Sequence, residues 1–183
     1  MTLDKIDDMP ISDFMVDAAD VAADATPVDV HEFRSVMRQL AGCVTVITTE
    51  SNGGLYGLTV TAICSVCATP PTILIAVDKS SRTHPHIDRK GAFAVNILAD
   101  GQKHIAEHFA SKGDDQFATI PHVVNAKGVP LIEGAAAQLH CEVQDRISIG
   151  THTLFVAHIV GTGIQDSTPL IYHNAKYGLV THI

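Results

Sequence analysis

Between Gly57 and Pro71 the chain reads Gly-Leu-Thr-Val-Thr-Ala-Ile-Cys-Ser-Val-Cys-Ala-Thr-Pro-Pro, and no other stretch is as well equipped to bind something. Leu58, Val60 and Ala62 alternate with Thr59 and Thr61 at period two, which predicts a strand. Small hydroxyl and thiol side chains follow, at Cys64, Ser65, Cys67 and Thr69, before Pro70 and Pro71 stop the run. Small side chains leave backbone N–H and C=O groups accessible, while Ser and Thr add donors and acceptors of their own. Such a segment suits a flat, heteroatom-rich ligand with phosphates, and it equally suits an edge strand with a polar rim. A second candidate is Lys79-Ser80-Ser81-Arg82-Thr83, which puts backbone N–H groups, hydroxyls and cations within five residues. Phosphate binding asks for that combination. A solvated loop has the same composition.

Two further constellations look like metal or redox chemistry. Cys64-Ser65-Val66-Cys67 is a Cys-x-x-Cys. Thioredoxin-type chemistry needs it at a helix N-terminus, and zinc needs a second ligand pair. Neither context is visible, so neither a catalytic disulfide nor a metal is expected there. His104-Ile105-Ala106-Glu107-His108 has the form His-x-x-Glu-His, an arrangement known from zinc hydrolases. No third ligand is indicated, and Ile105 and Phe109 fit ordinary packing of an amphipathic helix. No metal site is expected.

The elements that must position these residues are legible from period and punctuation. Val30, Phe33, Val36, Met37 and Leu40 form a helical stripe. Residues 43–49 are β-branched and alternating, and Asn52-Gly53 predicts a hairpin turn into the Gly57 strand. Residues 72–77 form a near-continuous apolar run, read as a strand buried on both faces. The 81–85 segment reads as a loop leading into a short helix through Lys90. A strand over 93–98 and a helix over 102–110 follow. Residues 135–147 and 153–161 are long alternating strands joined near Gly150, and a closing hairpin surrounds Asn174. Many strands with helices inserted rather than alternating predict a closed antiparallel barrel, mainly β with peripheral helices, in a single domain. No Gly-x-Gly-x-x-Gly turn occurs, which excludes a Rossmann crevice.

Composition removes other classes. The 183 residues suffice for one core. A formal net charge of -8 and the absence of Trp argue against nucleic acid as a partner. No run of about 18 apolar residues would span a bilayer, so no membrane partner is expected. The acidity is concentrated before Val30, where Asp4, Asp7, Asp8, Asp13, Asp17, Asp20, Asp24 and Asp29 face only Lys5. Residues 1–29 therefore read as a flexible acidic arm and 30–183 as the folded domain. The arm lacks the features of a signal peptide, which places the protein in the cytoplasm with Cys43, Cys64, Cys67 and Cys141 reduced.

From about Val30 onward the sequence resembles the short-chain NAD(P)H:flavin oxidoreductases, the reductase components of two-component aromatic monooxygenases. The resemblance rests on Phe33-Arg34, Gly42 to Thr49, Thr59 to Ala62 with Ser65-Val66-Cys67 and Pro70-Pro71, and Gly91 to Leu98. It continues through Gly150-Thr151-His152, Pro169 to Tyr172 and Tyr177-Gly178. It implies an FMN-binding split β-barrel of Greek-key type, a homodimer, and hydride transfer from NADH, with NADPH left open, to FAD or FMN. Reduced flavin would diffuse to a separate monooxygenase acting on phenol-type aromatics. The resemblance assigns flavin contacts to Thr45, Thr59, Val60, Thr61, Ala62, Cys64, Ser65, Val66, Cys67, Ser80, Ser81, Arg82 and Thr83. It assigns nicotinamide contacts to His152, Tyr172, His173, Lys176 and Tyr177. No side chain is expected to act as acid or base, since the hydride passes between cofactors. Two departures stand out: Cys67 where the family is typically Ser-rich, and Thr151 where an acid commonly precedes the histidine. Relatives of this barrel that hold flavin tightly and reduce a corrinoid or ferric chelate remain an alternative, as does a non-enzymatic flavin-binding module.

Overall fold

In the computed structural model, which describes residues 27–111, 113 and 115–181, the chain divides into two units after Met37. The acidic arm expected over residues 1–29 lies almost wholly outside the described residues. In the first unit, α1 (Val30–Met37) begins where Asp29 accepts hydrogen bonds from the backbone N–H groups of His31 and Glu32. That is the N-capping role aspartate favours. The stripe Val30, Phe33, Val36 and Met37 is present and exposed, and the helix buries none of its residues.

The second unit, from Arg38 on, is mainly β. Its strands are β1 (Gly42–Cys43), β2 (Thr45–Ser51), β3 (Gly54–Val60), β4 (Ile63–Ala68) and β5 (Pro71–Asp78). Then come α2 (His84–Lys90), β6 (Ala92–Ile97), a 3₁₀ turn at Asp100–Gln102 and α3 (Lys103–Ala110). The second half contains β7 (His122–Val124), β8 (Pro130–Ile132), β9 (Ala137–Ile149), β10 (His152–Ile164), β11 (Ile171–His173) and β12 (Lys176–Gly178). Asn52 and Gly53 take the positive φ values, 54° and 79°, that the hairpin between β2 and β3 needs. Asn174 and Ala175 do the same between β11 and β12, at 46° and 61°.

Seven strands form one antiparallel sheet in the order β3-β2-β6-β9-β10-β5-β4. Its two edges, β3 and β4, are consecutive in the chain and joined by Thr61 and Ala62 alone. Laid flat, six strand spacings would part the edges by about 29 Å. The three Cα–Cα steps from Val60 to Ile63 reach at most about 11 Å. The sheet is therefore rolled up. No ladder joins β3 to β4, so the closed barrel expected from the strand pattern is a rolled sheet with an open seam.

Inside the roll, Ile47, Ile73, Ile75, Val77, Phe93, Val95 and Phe155 form one core cluster. A second cluster joins Val44, Val46 and Leu98 to Ile105, Ala106 and Phe109 of α3, with Phe117 and Ile132. Fully burying side chains of this size is worth about 1.5–3 kcal/mol each. Asn96 finds partners for both ends of its amide. Asn96 donates to the carbonyl of Val46 and to Thr48 Oγ1, and accepts from the Ile132 N–H, which fixes the β7–β8 hairpin to the sheet. Among the described residues no helix is long and apolar enough to cross a membrane.

Candidate functional site

A cleft of about 550 Å³ opens where β3, the loop between β5 and α2, and the end of α3 converge. Its floor is Gly57, Leu58 and Thr59, and one wall is Asp78 with Ser80, Ser81, Arg82 and Thr83. The other wall is Phe109, Ala110 and Ser111, closed by Gln116. Gly57 ties the walls together. Its carbonyl accepts from Thr83 Oγ1 at 2.9 Å, and its N–H donates to Gln116 Oε1 at 3.4 Å. A Cβ at this position would stand 2.5 Å from Phe109 Cε1, so only glycine lets α3 come this close to β3. Thr59 Oγ1 donates to the carbonyl of Ala106 at 2.7 Å, a second tie between the same elements.

The loop is shaped by Asp78. Its Oδ1 accepts from the N–H of Ser80 at 2.7 Å and from Ser80 Oγ at 2.8 Å. The backbone bond above all, then the hydroxyl, hold the carboxyl below the ordinary aspartate value. This is an Asx turn, in which a carboxylate replaces a backbone acceptor. Thr83 N–H donates to Ser81 Oγ at 3.2 Å, and the Ser81 N–H donates to the Asp78 carbonyl at 3.0 Å. Lys79 points elsewhere. Its ammonium donates to Ser148 Oγ and to the Gly150 carbonyl, both at 2.7 Å, so Arg82 is the cation of this loop that lines the cleft.

A smaller pocket of about 220 Å³ shares Thr59 and Ala110 with the first. It adds Val44, Val60, Thr61, Tyr172 and Tyr177. The two tyrosine rings meet edge-on at 5.3 Å, and Lys103 Nζ lies 5.6 Å from the centre of the Tyr177 ring. Burial pushes the Tyr177 phenol above its ordinary value, with Glu107 and Tyr172 acting in the same direction. It is a proton-bearing donor at neutral pH.

The expected site residues thus fall into groups. Thr59, Ser80, Ser81, Arg82 and Thr83 meet in the larger cleft, and Thr59, Val60, Thr61, Tyr172 and Tyr177 in the smaller. Thr45 is fully buried and spends its hydroxyl on the Val60 carbonyl at 2.8 Å, which leaves it nothing to offer a ligand. Ala62 is exposed in the link between β3 and β4. Cys64, Ser65, Val66 and Cys67 sit exposed on edge strand β4 and line neither pocket. His152 opens β10 directly opposite Asp78, with its Nδ1 2.9 Å from Thr151 Oγ1. It flanks the larger cleft without lining it. His173 and Lys176 pair across the Asn174-Ala175 turn, exposed and outside both pockets. Of the two helix histidines, His108 Nε2 lies 2.8 Å from the Gln116 carbonyl and His104 is exposed.

Sequence reasoning missed Gly57, Leu58, Asp78, Phe109, Ser111 and Gln116. A glycine interrupting a strand pattern signals close backbone approach, and Asp-x-Ser signals an Asx turn. Phe109 and Gln116 carry no local signal. The cleft has the size of a small-molecule site. It combines hydroxyls and one cation with the apolar side chains of Leu58 and Phe109.

The sequence matches the family described as "Flavin reductase like domain" over residues 37–181. It is 36% identical over 152 residues to the reductase component of a 4-nitrophenol 4-monooxygenase/4-nitrocatechol 2-monooxygenase from Rhodococcus opacus, covering 83% of this chain and 82% of that one. It is 32% identical to an FMN reductase (NADH) of Stutzerimonas stutzeri, over 84% and 90% of the two chains. Among solved structures, a Streptomyces globisporus NADH:FAD oxidoreductase, in complex with NAD and FAD fragments, superposes with a TM-score of 0.80. That pair is 30% identical, and the match covers 86% of this chain and 98% of the other.

Proposed function

This chain belongs to the flavin reductase like domain family, and we propose that it reduces free FAD or FMN with NADH and releases the product to a separate monooxygenase. What carries this reading is the cleft whose β3 floor, Gly57, Leu58 and Thr59, lies beside Ser80, Ser81, Arg82 and Thr83. Ser80 and Ser81 offer hydroxyls and Arg82 a cation to the phosphate end of a flavin, the buried Thr83 holds this loop to Gly57, and β3 offers a flat floor to the rings. The chemistry supplied by the bound pair is hydride transfer from nicotinamide to flavin, which asks for reacting atoms about 3–3.5 Å apart. The protein's share is orientation. Tyr172 and Tyr177 form an aromatic wall beside Thr61, and the protonated Tyr177 hydroxyl is a donor rather than a base. His152, opposite Asp78, stands at the nicotinamide side.

The chain works as a homodimer in the cytoplasm, with residues 1–29 as an acidic arm on the 30–183 domain. Large apolar side chains left in the open on β9 and β10 support self-association: Ile147, Ile149 and Ile164, the last 88% exposed. The partner oxygenase acts on a phenol-type aromatic, a reading supported by the named activity of the Rhodococcus opacus relative.

The deciding experiment is NADH oxidation by the purified protein, followed by absorbance, with and without added FAD or FMN. Turnover that requires free flavin and saturates with it is the expected result and ranks the two flavins. Turnover with bound flavin alone would overturn the diffusible-product reading, and no turnover would overturn the enzyme. Sedimentation velocity at micromolar concentration tests the dimer.

A further inference from the structure

We propose that Cys64 and Cys67 form a redox dithiol on edge strand β4, closed to a disulfide by hydroperoxide, and that closure weakens flavin binding. Pairing between β4 and β5 fixes which way these residues face. Ile63 lies opposite Ile75 and Ser65 opposite Ile73, both of them core residues. Cys64 lies opposite Leu74 and Cys67 opposite Thr72. Residues three apart on a regular strand point to opposite faces. Here the register shifts between Ser65 and Cys67, leaving Val66 as the extra residue of a bulge. Both cysteines therefore stand on the same face, away from Ile73 and Ile75, and both are exposed.

Their partners Leu74 and Thr72 are two residues apart on β5, which places the two positions about 6.6–6.8 Å from each other. A disulfide spans Cα separations of about 4.4–6.8 Å. A small contraction closes the pair, and β4 can contract because it is a sheet edge with no ladder on its free side. What the thiols give up is modest: Cys64 Sγ donates to the Ser65 carbonyl at 3.1 Å and Cys67 Sγ to the Pro70 carbonyl at 3.2 Å. The other two cysteines are placed out of this chemistry. Cys141 is buried, which pushes its thiol up to about 12, and Cys43 lies on β1 opposite Ile171.

The source of oxidant rests on the proposed function. Reduced flavin that is not consumed passes two electrons to dioxygen and yields hydrogen peroxide. One thiolate attacks the peroxide, forming a sulfenic acid as the O–O bond breaks, and the hydroxide released takes back the proton that thiol gave up and leaves as the first water. The second thiolate attacks that sulfur, the S–S bond forms as the S–O bond breaks, and the departing hydroxide takes the second thiol's proton to leave as the second water. Two thiols are oxidised and one peroxide is reduced. Cys64 follows Thr61 by three residues, and Thr61 lines the smaller pocket, so a contraction of β4 pulls on the pocket wall.

The test uses the full-length reduced protein with one equivalent of hydrogen peroxide. Remaining thiols are alkylated, and cleavage after Glu50 and Lys79 separates the pair from Cys43 for mass mapping. Flavin Kd is read by fluorescence before and after oxidation. The expected result is loss of two hydrogens from the peptide carrying Cys64 and Cys67, reversal by a thiol reductant, and a flavin Kd raised about threefold or more. In Cys64→Ser and in Cys67→Ser, whatever their own Kd, the oxidised-to-reduced ratio returns to near one. Thiols that stay alkylatable, a bridge to Cys43 or between chains, or a disulfide with unchanged Kd would each overturn the proposal. Flavin binding without NADH oxidation in the reduced protein would overturn the proposed function instead, and the peptide map and Kd would still decide the dithiol.

Discussion

Replacing Gly57 by alanine adds one methyl group at the point where β3 meets α3. The new Cβ would stand 2.5 Å from Phe109 Cε1 and 2.6 Å from Cδ1. Carbon atoms rest at about 3.5–4.0 Å, so the overlap is about 1 Å. The ring has little room to retreat. Phe109 is 3% exposed, and its centroid lies 5.1 Å from that of Phe117, itself buried. Overpacking of this kind costs about 1–3 kcal/mol. At about 2–4 °C per kcal/mol for a chain of this size, the melting temperature falls by about 2–12 °C. The floor of the cleft moves with it, because Gly57 holds Thr83 and Gln116, so the KM for flavin rises as well. The assay is a double-mutant cycle by thermal or urea unfolding, with Phe109→Ala as the second change. That change alone costs about 3–5 kcal/mol. In its background the added methyl meets no ring, and Gly57→Ala then costs next to nothing. Equal costs for Gly57→Ala in both backgrounds would refute the contact as the reason for the glycine.

Other consequences are as direct. Arg82→Ala removes a cation from the wall of the larger cleft; the KM for flavin rises more than that for NADH, and added salt narrows the gap between variant and wild type. A change confined to the NADH KM would move the phosphate end elsewhere. His152→Ala raises the KM for NADH more than it weakens flavin binding, and the reverse pattern would remove His152 from the nicotinamide side. His86 stacks on Tyr56 at 3.4 Å, and its Nδ1 is buried without a hydrogen-bond partner. Burial first, then the charges of Arg89 and Arg82, hold its pKa below the ordinary value of 6.5. The unfolded chain therefore takes up this proton more readily than the folded one. The contribution is complete above about pH 6.5 and is lost as pH falls toward the folded value. His86→Phe keeps a ring on Tyr56 and flattens the decline in melting temperature between neutral and mildly acid pH; an equally steep decline in the variant would assign it to other groups.

Local signals were legible wherever the physics was local. Asn52-Gly53 and Asn174 mark turns because their backbones take positive φ. The apolar run opening at Thr72 is a strand, but it is buried on one face through Ile73, Ile75 and Val77 and only half-buried at Leu74 and Ala76 on the other, and the Ile105, Ala106 and Phe109 stripe is the packed face of α3. The β4 strand was harder to see. Thr61 and Ala62 contain no glycine or proline, yet the chain there leaves one edge of the sheet and enters at the other. That step is dictated by pairing of β4 with β5 and of β3 with β2, and neither partner is visible from the two residues themselves. The β7–β8 hairpin escaped for a related reason. Its strands are three residues long and are held by Asn96 and Thr48, far away in sequence.

The site divides along the same line. Period-two alternation says that neighbours face opposite ways, but it does not say which way is in. Thr45, Thr48 and Thr49 advertise three hydroxyls, and all three are buried and spent on the carbonyls of Val60, Pro130 and Ala92. Thr59 on the next strand likewise donates its hydroxyl, to the Ala106 carbonyl, yet it is only half-buried and lines both pockets. What distinguishes them is the neighbour each strand has been given. At Gly57 the contacts run to residues 83, 109 and 116, each at least 26 positions away, and they converge on a residue with no side chain. A glycine in a strand pattern signals a close approach, but not which residues make it. Here the missing group makes the cleft, because it lets a loop, a helix and a strand approach closely enough to share one ligand.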